Sequence, residues 1–122
     1  MPAIASLIIN GSITGTPTGT RIIGPITLSS LAANGQVTQV VLQAGFNAIT
    51  IPTTPAPSGC VIVLPPTNTS VTTLKGLTGD TGIAIGKTTT TILNWDATAV
   101  PAAMGLTSVS TQTGLITEII FF

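Results

Sequence analysis

The stretch "GLTGDTGIAIGKTTTTIL" (residues 76–93) is the most informative part of this chain, because it is open to two very different interpretations. A phosphate-binding loop has a glycine, four further residues and then Gly-Lys-Ser/Thr. Counting back from Gly86, the first glycine would have to stand at position 81, which is Thr81. Four threonines follow Lys87, and such β-branched residues do not favour the helix that a phosphate-binding loop opens. The stretch therefore predicts two strands with their turns, and no nucleotide site.

The composition of the whole chain favours one uncharged, strand-rich domain. The 122 residues carry a charged fraction of 5%, with three basic and three acidic residues and a net charge of zero. Binding to nucleic acid or to a membrane surface depends on clustered Lys and Arg, so we expect neither. No apolar run approaches the ~18 residues of a spanning helix, and residues 1–9 lack the basic segment of a secretory signal. A neutral chain of this kind tends to associate.

Gly and Pro occur at intervals of about eight to twelve residues, as in an antiparallel sandwich or barrel. The segments between them are rich in Ile, Val and Thr, which suit pleated sheets. We predict an all-β fold with an N-terminal arm and first strands in residues 1–35 and a β-sandwich body in residues 36–122, as a single domain overall. The predicted strands are Ala3–Ile9, Arg21–Leu28, Gln36–Gln43, Ala48–Ile51, Cys60–Leu64, Val71–Leu74, Ile83–Ile85, Thr90–Trp95 and Leu115–Phe121.

Three further segments have local signals of their own. The segments "GSITGTPTGTR" (Gly11–Arg21) and "PTTPAPSG" (Pro52–Gly59) are predicted to be loops from their Pro and Gly content. The segment "DATAVPAAM" (Asp96–Met104) is weakly helical, with Asp96 as a possible N-cap and Pro101 limiting its length. The run "CVIVL" (Cys60–Leu64) does not alternate, which predicts a central strand that is covered on both faces.

The sequence predicts no catalytic, cofactor-binding or metal-binding residues. Histidine is absent, which removes the usual general base and the commonest zinc ligand. Cys60 has no such base to lower its pKa, so we interpret it as a buried structural thiol. Asp80 in "TGDTG" is interpreted as a turn residue rather than a calcium ligand. Pro2 would become a terminal amine if Met1 were removed, but no helix follows it as in enzymes that use such a proline. We therefore predict that the protein is not an enzyme.

The motifs "GFNAITIP", "VIVLPP" before "TNTS", and "LKGLTGDTGI" lie within residues 42–96. That segment resembles small β-sandwich virion proteins of tailed bacteriophages. The resemblance covers about half the chain, and its motifs consist of residues that are typical of turns. It implies a jelly-roll-like sandwich and a non-enzymatic structural role on the outer surface of the phage capsid, with the major capsid protein or other virion proteins as partners.

We therefore expect a capsid decoration (cement) protein that stabilises the shell. A tail or fibre component is the second possibility within the virion. A secreted Thr-rich binding module, of the adhesin or ice-binding type, is a third possibility, although the threonines show no regular period.

We also expect a homo-oligomer held by apolar contacts, and the phage resemblance implies a trimer. Six charged residues are too few for salt bridges to hold subunits together. The chain ends in "ITEIIFF", where large apolar side chains stand at a terminus. One alternating pair of these could pack in the core while the other meets a neighbour. The predicted interface residues are Trp95, Ile119, Ile120, Phe121 and Phe122.

Overall fold

The computed structural model describes residues 6–16, 19–29, 37–54, 56–96 and 98–122. These residues form ten strands, and none of them is helical. The strands are β1 (Ser6–Thr16), β2 (Gly19–Ser29), β3 (Val37–Val40), β4 (Gly45–Ile49), β5 (Gly59–Val63), β6 (Thr72–Lys75), β7 (Ile83–Ile85), β8 (Thr90–Asn94), β9 (Met104–Ser108) and β10 (Thr117–Phe121).

Eight of these strands form a sandwich of two antiparallel sheets. The front sheet has the order β3-β10-β5-β8, and the back sheet has the order β4-β9-β6-β7. Seven successive connections lead along the chain from β3 to β10. Six of them cross from one sheet to the other, and only the β6–β7 connection stays within the back sheet. The antiparallel pairs are therefore nested around that turn, as β3–β10, β4–β9, β5–β8 and β6–β7. This is the strand order of a jelly roll, and the prediction of an all-β antiparallel sandwich is confirmed.

The core fills the space between the two sheets. Leu106 of the back sheet and Ile62, Ile119 and Phe121 of the front sheet are fully buried. Along β10 the buried residues Thr117, Ile119 and Phe121 alternate with the half-buried Glu118 and Ile120. Strand alternation explains this pattern, because successive side chains point to opposite faces of a sheet.

The strand β5 is central in the front sheet, as predicted, because it lies between β10 and β8. The expectation that it is covered on both faces is wrong for the outer face. Cys60 and Ile62 point into the core and are fully buried, whereas Val61 and Val63 are only half-buried. The run is uniformly apolar, so its sequence does not reveal that its two faces have different surroundings.

The strands β1 and β2 form a separate two-stranded antiparallel sheet. The predicted loop Gly11–Arg21 is wrong over most of its length, because β1 continues to Thr16 and β2 begins at Gly19. Threonine and isoleucine in this segment outweigh its glycines as local signals. Residues 17 and 18 of the predicted loop, residues 1–5 and 30–35 of the predicted arm, and residue 36 of the predicted body lie outside the described residues. The division at residue 35 stays a prediction.

The weakly helical segment Asp96–Met104 is not helical over its described residues. The Asp96 carboxylate accepts hydrogen bonds from the Thr98 N–H (2.8 Å) and the Thr98 hydroxyl (2.7 Å), which makes a turn rather than a helix cap. The strand β9, which begins at Met104, was not predicted at all. It pairs with both β4 and β6, so its partners are distant in sequence and the preference of the segment itself is weak.

The seven connections of the sandwich form two groups. Hydrogen bonds link the β3–β4, β5–β6, β7–β8 and β9–β10 connections to one another. Among them are Gln112 N–H to the Leu42 carbonyl (2.8 Å) and the Asn68 side-chain amide to the Lys87 carbonyl (2.8 Å). The other three connections, after β4, β6 and β8, contribute to the lining of an apolar cleft. The two groups therefore differ in character: polar side chains join the first group, whereas the second group lines an apolar cleft.

Candidate interaction surface

The C-terminal residues that the sequence assigns to an interface separate into two sets in the structure. Ile119 and Phe121 are fully buried in the core, and Phe122 is 7% exposed. Ile120 is half-buried and lies on the outer face of the front sheet. The three buried side chains therefore stabilise the sandwich itself and are not available to a second subunit in this conformation. An interface role stays a prediction for Ile120.

Trp95, the other predicted interface residue, directly follows β8 and is half-buried. Its indole ring packs against the core, and its Nε1–H donates a hydrogen bond of 2.7 Å to the carbonyl of Pro57. This bond ties the connection between β4 and β5 to the edge of the front sheet. Trp95 thus has a structural role within the chain, and an interface role for its exposed part stays a prediction.

An aliphatic row crosses the outer face of the front sheet. Ile120 lies opposite Val37 of β3 on one side and opposite Val61 of β5 on the other, and Val61 lies opposite Ile92 of β8. Directly opposed residues share a face of the sheet, so these four β-branched residues form one continuous row over all four strands. Val37 is 49% exposed and Ile92 is 36% exposed, while Val61 and Ile120 are half-buried. We call these four residues the aliphatic row.

The neighbouring row contains the single charged residue of the four front-sheet strands. Glu118 lies opposite Gln39 and Val63, and Val63 lies opposite Thr90. The Gln39 side-chain amide donates a hydrogen bond of 2.9 Å to the Glu118 carboxylate. The outer face of the front sheet is therefore apolar along one row and carries one negative charge beside it.

The outer face of the back sheet has a different chemistry. The row across it contains Phe46, Thr107, Thr73 and Ala84. The charged residue of the four back-sheet strands is Lys75, which lies opposite Gly105. The two outer faces thus differ both in polarity and in the sign of their charge.

An apolar cleft of about 590 Å³ lies beside the connections that follow β4, β6 and β8. None of the residues that line it carries an ionisable side chain, and Thr50 and Thr53 supply its polar side chains. The larger side chains of the lining belong to Phe46, Ile49, Ile51, Leu77, Val100 and Met104. Leu77 is 62% exposed. The cleft is suited to contact with uncharged apolar groups.

The side chains that could take part in catalysis or metal binding have structural roles instead. Cys60 is fully buried, and desolvation raises the pKa of its thiol to about 12, as the interpretation of a structural cysteine requires. The Asp80 carboxylate accepts a hydrogen bond of 2.6 Å from the Leu77 N–H, and the Asp80 N–H donates to the Leu77 carbonyl. The interpretation of Asp80 as a turn residue is confirmed. Within the described ranges, no group of three acidic or thiol side chains could hold a metal ion.

The segment that resembles a phosphate-binding loop has the predicted strands and turns. β7 is Ile83–Ile85, as predicted, a bend over residues 87–89 follows, and β8 begins at Thr90. No helix follows Lys87, because β8 pairs with β5 throughout its length.

Comparisons with family models, with curated proteins and with solved structures found no match to this chain. Over the part of the chain that the structure describes, there is no helix long and apolar enough to cross a membrane.

Sequence reasoning identified Ile120 but missed the other members of the aliphatic row. Each of them is an ordinary strand residue, and nothing in its local sequence distinguishes the outer face from the core. Only the cross-strand register brings Val37, Ile120, Val61 and Ile92 together from positions that are up to 83 residues apart (120 minus 37).

Proposed function

We propose that this protein is a non-enzymatic structural protein of a bacteriophage virion, namely a decoration protein that binds the outer surface of the capsid as a homotrimer and stabilises the shell. The observation that carries the proposal is a jelly-roll body whose front sheet presents the aliphatic row on its outer face. Jelly rolls are frequent among viral capsid proteins, and this part of the argument is an analogy of fold. The sequence motifs within residues 42–96 support the same assignment.

The non-enzymatic part of the proposal is supported by where the reactive groups lie. The Cys60 thiol is buried and protonated at neutral pH. The carboxylates of Asp80 and Asp96 accept hydrogen bonds that shape turns. These groups are occupied in maintaining the fold, and they lie on three different connections or strands.

Association through apolar contacts suits a protein that must cover a shell. The aliphatic row offers burial without the cost of desolvating charges. Joining several copies in one oligomer also multiplies the contacts with the shell, so that weak individual contacts give firm attachment. The major capsid protein is the proposed partner.

Quantitative mass spectrometry of purified virions tests this proposal directly. The virions are taken from the phage or lysogen that carries this gene, and the copy number is measured relative to the major capsid protein. A copy number of the same order as that of the major capsid protein supports decoration of the shell. A few copies per particle overturns decoration in favour of a tail or fibre part, and absence from the virion overturns the proposal.

A binding experiment then tests the role of the aliphatic row. Particles that lack the protein are incubated with the wild type, with Ile120→Lys, and with Thr73→Lys, a matched control on the back sheet. We expect Ile120→Lys to reduce occupancy of the shell because oligomers no longer form, and Thr73→Lys to bind as the wild type does. Equal binding by all three proteins would show that the aliphatic row has no part in attachment.

A further inference from the structure

The front sheet ends at β8, which is open along one side. The order of the sheet is β3-β10-β5-β8, so β8 pairs with β5 alone among the strands that the structure describes. The strand "TTILN" (Thr90–Asn94) contains no charged residue, no proline and no bulge, which are the features that keep edge strands from pairing with another chain. Its free backbone groups are therefore open to a further strand.

Alternation along β8 identifies the backbone groups that face this open side. The Trp95 N–H, one residue beyond β8, donates a hydrogen bond of 2.8 Å to the carbonyl of Ser58, which stands opposite it when the β5–β8 register is continued. The carbonyl of Gly59 points the other way and accepts from the last residue of the chain. Because successive residues of an antiparallel strand bond to alternate sides, Leu93 and Thr91 bond to β5. The residues whose backbone groups face the open side are Thr90, Ile92 and Asn94.

These three residues are arranged symmetrically about Ile92. A second copy related by a two-fold axis beside Ile92, perpendicular to the sheet, runs antiparallel and places Ile92 opposite Ile92 and Thr90 opposite Asn94. Each opposed pair then exchanges backbone hydrogen bonds, because all three residues face the open side. Their side chains are exposed on the outer face, where the two isoleucines meet each other and each threonine meets an asparagine. The strand is therefore complementary to itself.

The other edge strands of the sandwich are less suited to such a pairing. β7 has three residues. At the start of β4, the Asn47 side chain bonds both the N–H and the carbonyl of Gln43, each at 2.9 Å. In β3, a two-fold pairing over the full length would place Val37 of the outer face opposite Val40, which packs against the core. A continuous sheet needs outer residues opposite outer residues, and β8 meets this condition.

Large apolar side chains are exposed on the same side of the sandwich. β7 and β8 are edge strands of the two sheets and are joined by residues 86–89, so they bound one side together. Ile83 of β7 lies opposite Leu74, which packs against the core, and yet Ile83 is 69% exposed. Ile92 of β8 is 36% exposed. A copy that approaches along β8 therefore has apolar surface to cover as well as backbone groups to bond.

We propose that two copies of this protein pair antiparallel through their β8 strands, with Ile92 opposite Ile92, so that the two front sheets become one continuous sheet. The aliphatic rows of the two copies then meet end to end at Ile92 and form one longer apolar stripe. This contact uses the edge of the sheet and goes beyond the trimer proposed above: where trimers form, it links one trimer to the next. It concerns self-association alone, so it holds or fails independently of a place in the virion.

Opposite charges at position 92 test the pairing in the full-length chain. Ile92→Lys and Ile92→Asp each place two like charges side by side across the axis, at an exposed position outside the core. In light scattering coupled to size exclusion, each variant should pair more weakly than the wild type by at least about tenfold in its apparent dissociation constant, which is ~1.4 kcal/mol. An equimolar mixture of the two should regain pairing, because an ammonium then faces a carboxylate. A mixture that stays dissociated would overturn the two-fold arrangement.

Cysteine cross-linking tests the register. In Ile92→Cys, the two introduced thiols lie across a hydrogen-bonded antiparallel pair with Cα atoms ~5.5 Å apart, which a disulfide can span. Thr90→Cys is the matched control on the same face of β8, since the two thiols are then about 13 Å apart along the strands. Under mild oxidation we expect Ile92→Cys to form linked dimers rapidly and Thr90→Cys slowly. Thr90→Cys mixed with Asn94→Cys should link as fast as Ile92→Cys does, and Cys60 is buried and takes no part.

Two further controls keep the outcome clear. Thr73→Lys lies on the outer face of the back sheet and should pair as the wild type does. Far-ultraviolet circular dichroism and thermal unfolding of every variant show whether the sandwich is intact, so that loss of pairing is not loss of folding. Equal linking of Ile92→Cys and Thr90→Cys, or a wild type that stays monomeric at micromolar concentration, would overturn the inference. A wild type that forms trimers without pairing them would also overturn it and would leave the proposed function standing.

Discussion

The ring of Phe122 lies against the backbone of Gly59, and the Phe122 N–H donates a hydrogen bond of 3.1 Å to the Gly59 carbonyl. The last residue of the chain thus closes over the first residue of β5. A Cβ atom at position 59 would lie 2.6 Å from Cζ of Phe122 and would also meet the Leu93 carbonyl oxygen. The absence of a side chain at Gly59 is what lets the C-terminus pack in this place.

Gly59→Ala should therefore destabilise the protein. We expect a loss of about 1–3 kcal/mol in the free energy of unfolding, because the backbone of β8 and the ring must shift to accept the methyl group. Chemical denaturation measures this loss. Gly79→Ala is the matched control, since a Cβ there meets nothing within 4 Å and Gly79 has no positive φ. Equal stability of the two variants would contradict the packing described for Phe122.

The two faces of β10 should respond differently to truncation. Phe121→Ala removes a fully buried ring and should cost about 3–5 kcal/mol of stability. Ile120→Thr keeps a β-branched residue on the half-buried outer face and should cost less than about 1 kcal/mol. Urea unfolding of both variants, at concentrations where neither associates, tests the assignment. A larger loss for Ile120→Thr would mean that the faces of β10 are reversed.

The polar connections beside β6 and β9 should depend on Gln112. Its side-chain amide donates to the Ser70 hydroxyl at 2.7 Å and to the Ser110 carbonyl at 3.0 Å, and Gln112 is 7% exposed. Gln112→Ala removes these two hydrogen bonds from a buried side chain, while the Ser108 hydroxyl still donates to the Ser110 carbonyl and the Ser70 and Ser110 hydroxyls still bond each other, so we expect a loss of about 1–2 kcal/mol. Gln39→Ala removes an exposed hydrogen bond to Glu118 and should change the stability by less than about 0.5 kcal/mol. Similar effects of the two changes, measured by thermal unfolding, would refute this distinction.

Cys60 should be unreactive until the protein unfolds. Burial raises the pKa of its thiol to about 12 from an ordinary 9.0. Between these two pH values the folded chain therefore keeps the thiol proton, whereas the unfolded chain loses it. The resulting stabilisation is complete below pH 9 and is lost as the pH rises toward 12. We expect Ellman's reagent at about pH 8 to label Cys60 only in denaturant. In Cys60→Ala, the fall of stability between pH 9 and 12 should be smaller; rapid labelling of the native protein would contradict burial.

The carboxyl of Asp96 should titrate below its ordinary pKa of 3.8, because hydrogen bonds from the hydroxyl and then the N–H of Thr98 stabilise its charged form. A carboxyl whose pKa is lower in the folded protein than in the unfolded chain stabilises the fold at pH values above its ordinary pKa. This stabilisation is lost as the pH falls through the pKa of the folded state. Thr98→Val removes the hydroxyl and keeps the N–H, so the pKa of Asp96 should rise part of the way back. A titration followed by nuclear magnetic resonance measures both values, and an unchanged pKa in Thr98→Val would exclude the hydroxyl as the main cause.

Local sequence was sufficient for the strands that are bounded by strong turn signals. Ile83–Ile85 was predicted with its bounds, and Asp80 was assigned to its turn, because glycines and an aspartate fix the chain direction over a few residues. The prediction that residues 76–93 form strands and turns rested on the spacing of the glycines and on the threonines after Lys87, and β7 and β8 confirm it. These features depend on neighbours along the chain, so they could be predicted before the fold was known.

The remaining features depended on contacts that are distant in sequence. β9 has no strong local preference, and it becomes a strand because β4 and β6 pair with it on both sides. Alternation in "TEIIF" predicts two faces, but packing of the sandwich determines that Ile119 and Phe121 are buried while Ile120 joins the aliphatic row. These placements required the assembled sandwich, because a strand completes its hydrogen bonds and buries its side chains only through the strands that lie beside it and the sheet that lies across from it.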